Sequence, residues 1–194
     1  MVDGSRPDPP ETHGEWTPTD FGYSRLLAVG VEAVLCAFAL GIPIAIIATT
    51  GTIPDVETMP RWLLLANFLV CFATFAVHEL LYAAVANVYG CRVSFTDKYN
   101  VQFVDQPLSR RQVAVILLAP TAILSTTALA LLLSGSPTIA FTGFLVFMAN
   151  TAVIAADILT TWTVANLPRG SVIYTPLVGP SLVSSPTEGS DSVG

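Results

Sequence analysis

Four long apolar runs constrain the fold more than any other feature of the sequence. They cover about residues 26–49, 62–89, 112–134 and 138–165. Each run exceeds the roughly 20 helical residues that cross the hydrocarbon core of a bilayer. Only 11% of the residues are charged, whereas a soluble protein has roughly 25% and needs them to cover its water-facing surface. We therefore predict an all-α membrane protein with about four transmembrane helices, surrounded by the lipid bilayer.

The two ends of the chain differ in composition from its middle. Residues 1–22 are acidic and contain four prolines, and residues 176–194 are rich in Ser, Pro and Gly. Segments of this kind bury too little apolar surface to fold alone, so we predict that both are disordered. The chain then has three parts: a leader over 1–22, a four-helix membrane domain over 23–175 and a tail over 176–194.

The segment between the second and third apolar runs has a different periodicity. Apolar side chains occupy alternate positions on either side of Asp97 and Lys98. This alternation predicts a short β-hairpin between the second and third helices, with an extended interfacial loop as the alternative. The alternating residues are Val93, Phe95, Tyr99, Val101 and Phe103.

The basic residues are distributed unequally along the chain. With four helices, seven of the eight Lys and Arg residues fall on the side of the two tails, and only Arg61 falls on the other side. Because Lys and Arg accumulate on the cytoplasmic side, we predict a cell-membrane protein with both termini in the cytoplasm. The net charge of −6 with a single lysine indicates a halophilic source. No basic patch indicates a nucleic-acid partner.

His78 and Glu79 are adjacent in the middle of the second run. A charged residue at the bilayer centre costs about 2.5–3.5 kcal/mol on insertion scales, so such residues usually face a cavity or a partner. The segment from His78 to Tyr82 reads HELLY and matches the HExxH motif except at its second histidine. In that motif two histidines on one helix face bind zinc, and the glutamate is the general base. A pair that only holds helices together is the alternative.

The fourth run contains two further candidates, Asn150 and Asp157. Asp157 lies 11 residues before Pro168, and His78 lies 11 residues before Tyr89, in two helices that run in the same direction. At about 1.5 Å of rise per residue, both groups should lie at a similar depth and could meet. Asn150 lies two turns from Asp157 on the same helix face and could contact substrate or brace the site. Ordinary interhelical hydrogen bonding is the alternative for Asn150.

Three further stretches accompany HELLY: the β-like insert, PLSRRQ before an apolar run that contains Pro120, and LPRGSVIY after the Asn150–Asp157 stretch. In this order they resemble a family of small membrane zincin-type peptidases related to the site-2 proteases, over roughly residues 60–175. The resemblance implies a zinc ion held by His78 and Asp157, with Glu79 as the base. Tyr82 stands where the family has its second histidine ligand, and a phenol with a pKa of about 10 binds metal poorly beside imidazole.

Three functions follow from this resemblance and from the intramembrane charges. The first is a degenerate, inactive member that binds a membrane-embedded peptide or protein. Tyr82 favours it, because catalytic zinc usually has three protein ligands. The second is an active intramembrane metallopeptidase, with Tyr82 as an unusual third ligand and with its peptide substrate presented along residues 92–104. The third, ranked last, is a small proton or ion pathway through Glu32 and the same site.

Overall fold

Four long helices make up most of the part of the chain that the structure describes. The structure is a computed structural model that describes residues 15–19, 24–51, 59–95, 101–104, 106–175 and 181–185. Each helix is long and apolar enough to cross a membrane, which confirms the predicted four-helix membrane protein. The helices are α1 (Arg25–Thr50), α2 (Arg61–Val88), α3 (Arg110–Leu132) and α4 (Pro137–Ala165).

Six short strands accompany the helices within the described residues. They are β1 (Trp16–Thr19), β2 (Arg92–Phe95), β3 (Val101–Val104), β4 (Pro107–Ser109), β5 (Val172–Tyr174) and β6 (Ser181–Ser184). Strands β2 and β3 pair antiparallel with Val93 opposite Phe103, so the predicted hairpin is confirmed. Its connecting residues, which include Asp97, Lys98 and Tyr99, lie outside the described part. The other four strands form an antiparallel sheet in the order β1-β6-β5-β4.

This four-stranded sheet joins the two ends of the chain. Strand β1 pairs with β6, with Trp16 opposite Ser184 and Thr19 opposite Ser181. The predicted disorder therefore does not hold at these two strands, because each supplies the backbone hydrogen-bond partners that the other lacks on its own. The other residues of both tails lie almost wholly outside the described part. The segment before α1 and the segment after α4 are therefore adjacent to each other at these strands.

Side-chain hydrogen bonds fix the beginning of α3 and the end of α4. Ser109 and Gln112 form a capping box, in which the Ser109 N–H donates to Gln112 Oε1 at 2.9 Å and the Gln112 N–H donates to Ser109 Oγ at 3.3 Å. The Arg110 guanidinium donates to the carbonyl oxygens of Ala165 and Leu167. These carbonyls have no partner within α4, since a helix leaves its last carbonyls unpaired. The bonds hold the beginning of α3 beside the end of α4.

The chain divides into two compact units, which we call the strand unit and the helix unit. The strand unit comprises Met1–Gly22, Tyr82–Leu117 and Thr160–Gly194, and the helix unit comprises Tyr23–Leu81 and Leu118–Leu159. Helices α2, α3 and α4 therefore contribute residues to both. The core of the strand unit combines helix and strand residues: Tyr82, Ala86, Cys91, Leu108, Val113, Ile116, Val164, Ile173 and Val183.

Within the helix unit, α3 and α4 approach each other closely at Gly143. A Cβ atom added at Gly143 would lie 2.7 Å from the carbonyl oxygen of Ala128 and 2.8 Å from the Cβ of Leu131. Small residues at such crossings let helix backbones come together in membranes. Helix α1 packs less, since Ala39 and Pro43 are its buried residues.

We expect Gly143→Ala to destabilise the protein by about 1–3 kcal/mol, because the methyl group overpacks the contact between α3 and α4. Gly30→Ala and Gly41→Ala are matched controls, since an added Cβ meets nothing within 4 Å at either position. The controls should be neutral or slightly stabilising, because alanine favours helix over glycine. Thermal unfolding in detergent measures the three variants. Equal stability of Gly143→Ala and the controls would contradict the close crossing.

Cys91 gives a second test, of the strand-unit core. It lies beyond the end of α2, only 2% of its surface is exposed, and burial raises the pKa of its thiol. A raised pKa lowers the thiolate fraction at neutral pH, and the thiolate is the reactive form. In a Cys36→Ser/Cys71→Ser background, we expect maleimide to modify the folded protein about tenfold or more slowly than the unfolded chain. Equal rates for the two states would show that the core is open.

Candidate functional site

The imidazole of His78 is the centre of a polar site in the helix unit. His78 lies on α2 with 2% of its surface exposed. Its Nδ1 atom is 3.1 Å from Asn150 Oδ1, and its Nε2 atom is 3.2 Å from Asp157 Oδ2. We call His78, Asn150 and Asp157 the polar trio. The structure thus brings together three of the residues that the sequence singled out.

The spacing on α4 explains how one ring reaches two side chains. Asn150 and Asp157 are seven residues apart, which places them on the same helix face at an axial separation of about 10 Å. The His78 ring lies between their side chains and uses one nitrogen for each. This arrangement requires α2 and α4 to present these residues at matching depth, as the residue count predicted.

Helix α3 fixes the orientation of the Asn150 amide. The Asn150 Nδ2 atom donates to Ser125 Oγ at 2.9 Å and to the Thr121 carbonyl oxygen at 3.5 Å. A carbonyl oxygen can only accept, so the amide nitrogen must face α3 and Oδ1 must face His78. Sequence reasoning missed Ser125 and Thr121, because small polar residues are common in apolar helices and no pattern marks these two.

The Asn150 orientation determines where the protons of His78 lie. Since Asn150 Oδ1 can only accept, Nδ1 of His78 carries a proton and donates it. The remaining nitrogen, Nε2, faces a carboxylate oxygen of Asp157. A bare Nε2 lone pair and a carboxylate oxygen would repel each other, so one proton is shared between them. The polar trio therefore satisfies both ring nitrogens with side chains of the same protein.

The other predicted site residues lie apart from these hydrogen bonds. Glu79 follows His78 on α2 and is half-buried, and Glu32 is exposed on α1. Tyr82 belongs to the strand-unit core, where 7% of its surface is exposed and it packs in one cluster with Ala86 and Ile116. Within the described ranges, no three His, Cys, Asp or Glu side chains are grouped so that they could hold a metal ion.

A second interhelical hydrogen bond in the helix unit provides a comparison for the polar trio. Thr142 Oγ1 on α4 donates to Asn67 Oδ1 on α2 at 2.6 Å, and Asn67 Nδ2 donates to the Leu63 carbonyl oxygen at 2.9 Å. This pair contains no ionisable group. An uncharged hydrogen bond therefore also joins α2 to α4. The sequence did not predict this hydrogen bond.

Comparison with known proteins identifies a relationship for this stretch of the chain. A family model described as "Putative zincin peptidase" matches residues 71–172, more than half of the 194-residue chain. The matched stretch contains the polar trio, the β2–β3 hairpin and the Arg110 contacts. No curated protein and no solved structure matches the chain.

A double-mutant cycle measures the contact between His78 and Asp157. We expect His78→Leu and Asp157→Leu to show a coupling of about 0.6–2 kcal/mol in unfolding free energy, the range for polar contacts between membrane helices. Asp157→Leu combined with Asn67→Leu is the control pair, and its effects should add within about 0.5 kcal/mol, because the two residues share no partner. Additive effects of the His78 and Asp157 substitutions would contradict the contact.

Proposed function

The chain belongs to the zincin-peptidase family, and on this premise we propose that it is a non-catalytic member that binds a membrane-embedded peptide or protein. The observation that carries the proposal is the polar trio, in which both ring nitrogens of His78 are hydrogen-bonded to side chains. A proton shared with Asp157 takes the place of a metal ion at Nε2.

Two features of the polar trio match a zinc site. Zinc bonds of about 2.0–2.2 Å at a tetrahedral angle would separate the His and Asp donor atoms by about 3.4 Å, and Nε2 and Oδ2 are 3.2 Å apart. Metal-bound histidines also commonly donate their other ring N–H to an oxygen, as His78 does to Asn150. This pair of donors is suited to a small cation.

The number of ligands does not match a catalytic zinc site. Catalytic zinc typically has three protein ligands and one open position for water. The family motif would supply its third ligand at position 82, where the tyrosine packs in an apolar cluster. A phenol with an ordinary pKa of about 10 stays protonated at neutral pH and is a poor ligand in that form. The residues present therefore do not fit a catalytic zinc centre.

In the absence of this chemistry, the polar trio has a structural role. It connects α2 to α4 through His78, and α4 to α3 through Asn150 and Ser125. Because hydrocarbon offers no competing hydrogen-bond partner, these contacts keep the three helices in one arrangement. A fixed arrangement of helices is what a binding protein needs to present a constant surface to a partner in the membrane.

The surface beside α1 supports a partner that is itself a transmembrane helix. A groove of about 830 Å³ lies along α1 and reaches Ile158 of α4. Four groove residues of α1 have the 4-3-4 spacing of helix–helix contacts: Leu27, Val31, Val34 and Phe38. Gly30 lines the same groove, and an added Cβ there meets nothing within 4 Å, so a second helix could approach closely. The proposal also places both termini in the cytoplasm. The pairing of β1 with β6 supports this topology, because it brings together the strand before α1 and the strand after α4.

An active intramembrane metallopeptidase is the second candidate, and the separation of Nε2 and Oδ2 favours it. In that case His78, Asp157 and Tyr82 would be the zinc ligands and Glu79 the base. The two candidates differ in one measurable property, the zinc content of the purified protein.

We expect wild-type protein purified in detergent to hold far less than one zinc per chain, because the polar trio supplies two suitable ligands, His78 and Asp157. Tyr82→His should raise the content to about one, since it completes the three-ligand set. Tyr82→Phe is the matched control and should remain zinc-free, because it removes the hydroxyl without adding a ligand. Elemental analysis by mass spectrometry measures zinc, and thermal unfolding verifies that each variant is folded.

About one zinc per wild-type chain, lost in both His78→Ala and Asp157→Ala, would contradict the proposal. That result would support the metallopeptidase instead.

A further inference from the structure

Several arginines of the strand unit lie near the ends of the membrane helices. Its described residues include four arginines, Arg92, Arg110, Arg111 and Arg169, and one carboxylate residue, Glu15. The exposed guanidinium groups of this set would attract an anion.

Two of these arginines, Arg111 and Arg169, lie near the same end of the β4–β5 ladder and are exposed. The β4–β5 ladder ends with Ser109 opposite Val172, so the residues after Ser109 and those before Val172 emerge at the same end of the ladder. Arg111 follows Ser109 by two positions, and Arg169 precedes Val172 by three. The Arg110 bond to the Leu167 carbonyl holds the same two segments together. Arg111 and Arg169 are both exposed.

Neither arginine is neutralised by the described part of the protein. The ion pair between His78 and Asp157 lies in the helix unit and involves neither arginine. The guanidinium of Arg110 is already committed to carbonyl oxygens of the α4 terminus. Among the residues that the structure describes, Arg111 and Arg169 therefore have no carboxylate partner.

The position of this pair along the helices indicates the ligand. Helix α3 begins at Arg110 and α4 ends at Ala165, so Arg111 and Arg169 lie where two membrane spans reach the headgroup region. Guanidinium groups bind phosphate oxygens in a bidentate manner. We propose that Arg111 and Arg169 together bind the phosphate of an anionic lipid headgroup. This proposal goes beyond the partner-binding function and does not depend on it.

Two tryptophans provide local reporters at the two ends of the spans. Trp162 lies on α4, three residues before Ala165, and 66% of its surface is exposed. Trp62 lies beside Arg61 at the beginning of α2, and 69% of its surface is exposed. The chain has three tryptophans, so a Trp16→Phe/Trp62→Phe variant keeps only Trp162, and a Trp16→Phe/Trp162→Phe variant keeps only Trp62.

The experiment reconstitutes both single-tryptophan variants in nanodiscs that contain a small fraction of brominated lipid, either phosphatidylglycerol or phosphatidylcholine. Bromine quenches tryptophan fluorescence at short range. We expect brominated phosphatidylglycerol to quench Trp162 more strongly than brominated phosphatidylcholine does, and Trp62 to show a much smaller difference. Adding Arg111→Gln/Arg169→Gln should reduce the apparent affinity at Trp162 by about 25-fold, or about fivefold per arginine. Arg61→Gln removes a single positive charge at the beginning of α2, and this control should leave Trp162 quenching unchanged.

Two results would overturn the proposal. One is an equal preference for phosphatidylglycerol at Trp162 and Trp62, and the other is a Trp162 preference that persists in folded Arg111→Gln/Arg169→Gln protein. Soluble glycerol 3-phosphate separates the two sources of phosphate. If the stronger quenching of Trp162 by brominated phosphatidylglycerol persists with glycerol 3-phosphate present, the arginines bind the lipid headgroup. If glycerol 3-phosphate abolishes it, the arginines bind a soluble phosphate instead.

Discussion

A polar group in the hydrocarbon core of a membrane must find its hydrogen-bond partner within the protein, and the helix unit depends on this constraint. His78 is almost fully buried, so the free energy of its imidazole depends on what its two nitrogens contact. Asn150 and Asp157 satisfy one nitrogen each, and Ser125 satisfies the Asn150 amide. Three helices therefore have one mutual arrangement in which both His78 ring nitrogens and the Asn150 amide are hydrogen-bonded. The close approach at Gly143 gives α3 and α4 a second, purely steric constraint.

The same geometry bears on the chemistry that the family name implies. Nε2 of His78 and Oδ2 of Asp157 can share a proton, and the same two atoms could bind a metal ion, since a proton and a metal ion both accept electron density from them. A third ligand decides whether a metal ion or a proton occupies the position. Tyr82 belongs to the hydrophobic core of the strand unit. The chain belongs to a zincin family, and the donor set is the basis of our proposal that a shared proton stands where a zinc ion would bind.

Sequence reasoning predicted the features that depend on local pattern. Four apolar runs of sufficient length predicted the helices, and the alternation around Val93 and Phe103 predicted the hairpin. Counting residues from the helix ends placed His78 and Asp157 at one depth, because the rise per residue of a helix is constant. The four-stranded sheet was not predicted, because β1 and β6 are 162 residues apart at their nearest ends and neither has a strand signal of its own. Ser125 was missed for a related reason: its role is visible only once Asn150 is placed against α3.

The most direct test of the account uses nitrogen-15 NMR of the His78 ring in the membrane. The chain has two histidines, so a His13→Gln variant labelled with ¹⁵N-histidine gives signals from His78 alone. We expect a protonated, hydrogen-bonded Nδ1 and an Nε2 that shares its proton with Asp157, and we expect both signals to be unchanged when stoichiometric zinc is added. A shift of Nε2 to the position of a metal-bound nitrogen at one equivalent of zinc would contradict it and would establish a metal centre.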